Sequence, residues 1–212
     1  MVMPQPFTTA SPILASYDYT DFIDGSGVVN FLGGNSQNTT TLNYFMTRES
    51  TRSNNSSTSS TELFSAVADT KKLDIDFDIL INIPRTIKGT IFVTVPVAVT
   101  SRNSGSTSMR VIGKLRKVRD GVESEVSSGT SATYGVSNTP AGSSVTFKID
   151  VTTEEHYATG DILRLTCEVW ASQNTGSSQV TIYHDPANRT TGMLATNPSS
   201  QLNIRIPFLI EQ

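Results

Sequence analysis

Residue types that do chemistry in proteins are sparse in this sequence and widely spaced. Its two histidines are His156, after Glu154-Glu155, and His184, before Asp185-Pro186; its one cysteine is Cys167. Zinc takes three or four ligands. Two separated histidines and a cysteine on an apolar strand face do not supply them, so no metal site is expected. Asp74, Asp76 and Asp78 repeat at period two, which on a strand lines their carboxylates along one face about 7 Å apart. Such a row suits calcium only where loops add more oxygens. The expectation is a solvated face or, if the strand carrying Arg110, Lys114 and Arg116 is a neighbour, cross-strand ion pairs worth roughly a few tenths of a kcal/mol each.

Serine is abundant, yet no Gly-x-Ser-x-Gly elbow places one beside a histidine base. Gly25-Ser26-Gly27 and Gly33-Gly34 lack the lysine and the following helix of a phosphate loop. No catalytic residue and no cofactor are therefore expected, and the chain is expected not to be an enzyme. Trp170, Tyr134 and Tyr183 could stack on sugar rings if exposed; the sequence favours residues covering a sheet rim. A net charge of -3 argues against a nucleic-acid footprint, which needs a concentrated basic face. No apolar run approaches the roughly 20 residues of a membrane helix, and the N-terminus lacks the basic and apolar regions of a signal peptide. Cytosolic synthesis is expected, and the sequons at Asn38, Asn54, Asn55 and Asn188 carry no weight in a chain so rich in Ser and Thr.

The elements that would position these residues centre on Gly160 to Trp170. Leu163, Leu165, Cys167, Val169 and Ala171 are apolar or small, while Arg164, Thr166 and Glu168 between them are polar. That alternation predicts a strand with one wet face and a packed Cys167 thiol. The same period recurs at Leu73 to Ile83 (ended by Pro84), Ile91 to Val99, Val145 to Val151 and Leu202 to Ile210. Shorter strands are expected at Val28 to Leu32 (stopped by Gly33-Gly34), Thr40 to Thr47, Leu63 to Val67 and Gln179 to Tyr183. Pro96 cannot donate to a ladder, which predicts an edge or bulged strand. Asp120-Gly121 between Arg110 to Val118 and Val122 to Val126 predicts a hairpin, because both residues tolerate positive φ.

Polar stretches at 47–61, 101–108 and 127–144 are expected as surface loops. Thr152 to Gly160 could cap one helical turn, too short for a stable helix. About ten strands with no helical period between them define an all-β chain, an antiparallel jelly-roll-like β-sandwich. One domain over 13–212 is expected, preceded at 1–12 by an extended arm that Pro4, Pro6 and Pro12 stiffen. Val2, Met3, Pro4, Pro6 and Phe7 are the candidate partner-contacting residues of that arm, with Phe7, Val2 and Met3 as apolar anchors.

Three stretches carry a family resemblance: Gly160-Asp161-Ile162-Leu163-Arg164-Leu165-Thr166-Cys167-Glu168-Val169-Trp170, Ile182-Tyr183-His184-Asp185-Pro186-Ala187-Asn188-Arg189, and Ile204-Arg205-Ile206-Pro207-Phe208-Leu209-Ile210. Together they resemble the C-terminal third of virion structural proteins of tailed bacteriophages, a group that includes jelly-roll head decoration, or cement, proteins. The resemblance covers about a quarter of the chain. It implies an assembly protein without cofactor or turnover, a homotrimer bound to the major capsid protein on the outer surface of the virion, made in the host cytoplasm and contacting neither nucleic acid nor membrane. A tail-fibre, receptor-binding or carbohydrate-binding module of a phage is the alternative, and a carbohydrate-acting enzyme on a jelly-roll scaffold is a third class. Fold alone does not separate them.

Overall fold

The computed structural model describes residues 26–38, 41–50, 59–101, 105–137, 141–189 and 199–209. They form ten strands: β1 (Ser26–Asn38), β2 (Thr41–Thr47), β3 (Ser59–Leu80), β4 (Arg85–Ser101), β5 (Ser106–Arg119), β6 (Val122–Thr130), β7 (Tyr134–Ser137), β8 (Ala141–Tyr157), β9 (Ile162–Tyr183) and β10 (Leu202–Leu209). No helix occurs among the described residues, so the all-β expectation holds. Beyond it, the ladders close on themselves. β9, β3, β2, β1, β10 and β4 pair in that order, and β4 pairs again with β9, giving a six-stranded ring. Every pairing is antiparallel except β2 with β3, which meet in parallel at the single bridge Phe45↔Asp78.

The ring closes because β9 is long enough to take part in two neighbourhoods. Its first half, Ile162 to Gln173, lies between β3 and β5; its second half, Ser178 to Ile182, lies between β3 and β4. Gly176, with φ 80, falls where the partner changes. The two strands expected at Leu163 to Ala171 and Gln179 to Tyr183 are thus one element, as are those expected at Leu63 to Val67 and Leu73 to Ile83, which run together through three register shifts in β3. Outside the ring, β5 carries β6 and β7, and β4 carries β8.

Alternation puts one face of each strand inside. Phe77, Ile91, Val93, Leu115, Ile149, Leu165 and Ile204 are fully buried in one core cluster. Burying each such side chain contributes roughly 1.5–3 kcal/mol as an upper bound. The layers meet closely at Gly113: a Cβ there would lie 2.5 Å from the Phe147 ring, so only glycine lets β5 settle onto β8. The Asp120-Gly121 hairpin forms as expected, with φ 51 and 77 at its two turn residues and Arg119 opposite Val122.

Several local expectations are corrected. Gly33-Gly34 do not stop β1, which continues to Asn38; a Cβ on Gly33 would meet Leu202 at 2.9 Å and Phe77 at 3.1 Å, so these glycines mark close packing rather than a chain end. Pro96 does not lie on an edge strand. β4 leaves β10 after Thr94 and joins β9 from Val97, and the proline, which has no N–H to donate, sits in the gap between those ladders. The stretch 127–144 is not one loop, since β6 runs to Thr130 and β7 pairs with β5. Thr152 to Tyr157 continues β8 instead of turning as a helix, because its ladder partners Arg85 to Ile87 extend equally far.

Candidate functional site

The arm residues Val2, Met3, Pro4, Pro6 and Phe7 lie outside the described residues. The aspartate row lies on β3, but its cross-strand partners are not those expected: β9 stands between β3 and β5, so Arg110, Lys114 and Arg116 are two strands away. The wet face of β9 mediates instead. Arg164 grips Asp78 through two bonds, Nε to Oδ1 at 2.7 Å and Nη2 to Oδ2 at 2.8 Å, and reaches Asp76 at 3.1 Å and Glu123 at 3.2 Å. These carboxylates raise its pKa, Asp78 most. Thr166 donates to Asp76 at 2.5 Å. Asp74 binds Lys71 at 2.5 Å.

Glu168, only 5% exposed at its side chain, accepts from Lys114 at 2.8 Å, Lys71 at 3.5 Å and the Trp170 indole N–H at 2.9 Å. Burial pushes its carboxyl up, but these donors outweigh burial and hold it below the ordinary carboxylate range. Arg110 lies over the Trp170 ring at 5.6 Å and pairs with Asp69 at 2.6 Å. Trp170 is therefore half-buried under a guanidinium in the middle of a sheet, not on a rim. Arg116 pairs with Glu123 on the hairpin partner strand. Among the described residues no three His, Cys, Asp or Glu side chains converge as a metal would require.

A second constellation occupies the other end of β9. His184 is fully buried, and its Nε2 is hydrogen-bonded to Ser60 Oγ at 2.9 Å; Ser60 is bonded in turn to Tyr44 Oη at 2.8 Å. The imidazole meets the Tyr44 and Phe77 rings edge-on at 5.3 and 5.9 Å. Burial lowers its pKa to about 4, so the ring is neutral near pH 7. A serine held to an imidazole is half of an acyl-transfer device, which also needs a carboxylate on the other ring nitrogen. Here His184 Nδ1 has no hydrogen-bond partner among the described residues. Asp185 is buried but turned to Arg189, 2.9 Å from its Nη2, and to the Ala187 N–H at 3.2 Å. Burial raises the Asp185 carboxyl, and Arg189 with the backbone amides outweighs it.

The turn is fastened further by Asn188, at φ 53, whose Oδ1 accepts from the Ser200 N–H at 2.8 Å and hydroxyl at 2.9 Å, and by the Asp185 N–H donating to the Ser200 carbonyl at 2.9 Å. His-Asp-Pro-Ala-Asn-Arg is thus a rigid corner joining the end of β9 to the approach of β10. His156, by contrast, is exposed and hydrogen-bonded to Thr86 at 3.1 Å. Cys167 is fully buried, its thiol pushed up to about 12 by burial, a packed side chain as expected. Sequence reasoning missed the hubs Arg164 and Glu168, although their place on the wet face of β9 was visible. It also missed the Ser60 and Tyr44 contacts of His184, which are over 120 residues apart in the case of Ser60 and carry no local signal.

No family model matches the chain, and no curated protein does. Among solved structures, a CocE/NonD family hydrolase from Staphylococcus aureus is similar in fold at 10% identity; one structure of it covers 87% of this chain and 37% of its own with a TM-score of 0.44, another 72% and 33% with 0.37. This chain spans about a third of that hydrolase's length. A chain from the structure of infectious bursal disease virus, Gx strain, matches at 10% identity over 84% of this chain and 42% of its own, with a TM-score of 0.21. The similarity to hydrolases overturns the expectation that the chain is not an enzyme, and that exclusion is withdrawn. At such identity and TM-scores it brings no activity, substrate or catalytic residue to this chain.

Proposed function

We propose that the chain is a structural subunit of a tailed-bacteriophage virion, a decoration or cement protein of jelly-roll type that binds the outside of the capsid and stabilises the shell. One observation carries the reading. The three stretches that resemble virion structural proteins fall on β9, on the buried corner after it and on β10, so the resemblance lies in the framework of the fold and not in a detachable loop. In this reading the subunit is a homotrimer seated on the major capsid protein, and the arm at 1–12 ties it to its neighbours.

Antibody raised against the purified protein, followed by gold labelling of phage particles from a lysate of the phage that encodes it, tests this reading. Label on heads supports decoration, label on tails supports a fibre or receptor-binding role, and unlabelled particles sink both. Light scattering supplies the second measurement: a mass near 23 kDa at micromolar concentration would remove the trimer.

A further inference from the structure

The inner end of the ring carries hydrogen-bonding atoms that the fold buries and does not use. Asn35 of β1 is 1% exposed, and neither its Nδ2 nor its Oδ1 has a partner among the described residues; the same holds for Nδ1 of the fully buried His184. These atoms belong to one place. Asn35 lies on the face of β1 that Gly33 shares, where a Cβ would meet Leu202 and Phe77 at 2.9 and 3.1 Å, so its carboxamide points to the interior. It sits directly across the ladder from Tyr44, whose ring stands 5.3 Å from the imidazole. Pro186, two residues past His184, lies against Gly34, next to Asn35: a Cβ on Gly34 would be 2.7 Å from its Cγ. Buried polar atoms without partners are rare and cost stability. Three of them on two neighbouring side chains point to a bound group that supplies their bonds.

The wall beside this cluster is the weakest in the ring. β2 meets β3 at the single bridge Phe45↔Asp78, whereas every other seam is a ladder of several pairs. Side chains of the cluster close the gap instead: Tyr44 Oη and Ser60 Oγ share a hydrogen bond at 2.8 Å, and the Tyr44 ring meets Phe77 at 5.5 Å. A seam closed this way opens more readily than a continuous ladder. The chemistry of the cluster selects what it takes. Asn35 presents a donor and an acceptor in one plane, and His184 Nδ1 supplies one more of either kind. Asn35, Tyr44, Ser60 and Phe77 carry no charge, the imidazole is neutral near pH 7, and Asp185 is held by Arg189. A charged ligand would lose its hydration there without gaining a counter-charge. We infer that the inner end of the ring between β1, β2 and β3 is a binding site for a small uncharged ligand bearing a carboxamide or a similar planar edge. The ligand's amide pairs with that of Asn35 and bonds His184 Nδ1, its remainder lies against the Tyr44 and Phe77 rings, and it enters through the seam between β2 and β3. The inference rests on the fold and not on the virion reading.

Titration of the isotope-labelled full chain with formamide, acetamide and benzamide, followed by NMR at the Asn35 side-chain amide and the His184 ring nitrogens, tests it. Saturable shifts at both residues are expected, and the largest amide that binds measures the room. Asn35→Leu should weaken binding about tenfold or more through the lost pair of hydrogen bonds, while β9 amides, as a folding control, keep their native shifts. Ser60→Ala, which removes the bond across the seam, should speed association; an unchanged rate overturns the entrance. No saturable shift with any of the three amides leaves water as the only occupant and overturns the inference. Equal affinity in Asn35→Leu does the same, as does equal binding of toluene to the native chain, because toluene has much of the shape of benzamide and none of its hydrogen bonds.

Discussion

Two outer faces of this molecule are built from the same alternation and end in opposite electrostatic states. On β6, β5, β9 and β3 the charges interlock: Arg164 serves Asp76, Asp78 and Glu123, and Glu168 serves Lys71 and Lys114. On β1, β10, β4 and β8 Arg205 has no ion pair among the described residues and stands beside an exposed Phe92. The difference comes from which strand lies between which. β9 brings an arginine and a glutamate between a row of aspartates and a row of bases, whereas β10 brings its arginine between an asparagine and a phenylalanine. Charge on a strand predicts solvation; only the neighbour and register predict whether that charge is compensated.

The largest charge effect should belong to neither face but to the imidazole buried against Tyr44 and Phe77. Folded His184 has a pKa of about 4 against an ordinary 6.5, so the unfolded chain takes up a proton first as the pH falls. Its contribution is whole above pH 6.5 and is lost progressively down to about pH 4, amounting to roughly 3 kcal/mol for a fully buried group. Urea unfolding at pH 7 and pH 4.5 checks this. A His184→Phe variant should lose that pH dependence; if it keeps the native slope, the surface carboxylates set the acid response instead.

Next in size is Arg164→Ala, which leaves Asp76, Asp78 and Glu123 facing one another. A loss of about 2 kcal/mol is expected, reduced from the value for a buried pair because the carboxylates are about a third exposed. Arg205→Ala on the other face should change stability by less than about 0.5 kcal/mol. Equal losses in the two variants, measured by denaturant midpoints, would break the comparison. Glu168→Gln should cost about 1–2 kcal/mol, since it keeps the shape and one acceptor while removing the charge that Lys114 and Lys71 share. The smallest change is expected for Lys88→Ala: its partner Glu154 is 3.1 Å away with both side chains about half exposed, and a shift above about 0.5 kcal/mol would be unexpected.

Much of the site was half visible in the chain. Arg164, Thr166 and Glu168 stand out as the polar positions of the organising strand, yet pairing the aspartates with Arg110, Lys114 and Arg116 assumed the wrong neighbour. Trp170 could be placed on the polar face, but not under Arg110, a ladder partner from a strand about 60 residues earlier. His184 and Asp185 are adjacent in the sequence, but nothing there showed that Arg189, four residues on, takes the Asp185 carboxylate.

What the sequence determined by itself is what depends on neighbours a few residues apart. Period-two alternation set the strands and their inner faces, Asp120-Gly121 set the hairpin, and the apolar surroundings of Cys167 set its burial. Closure of the ring, the bend by which β9 serves two neighbourhoods, the place of Pro96 between two ladders and the bond from Ser60 to His184 were decided only in three dimensions. Alternation specifies which way a side chain points and is silent about which strand lies beside it. That choice depends on how the buried faces of distant segments fit together, and it is made by the whole core at once.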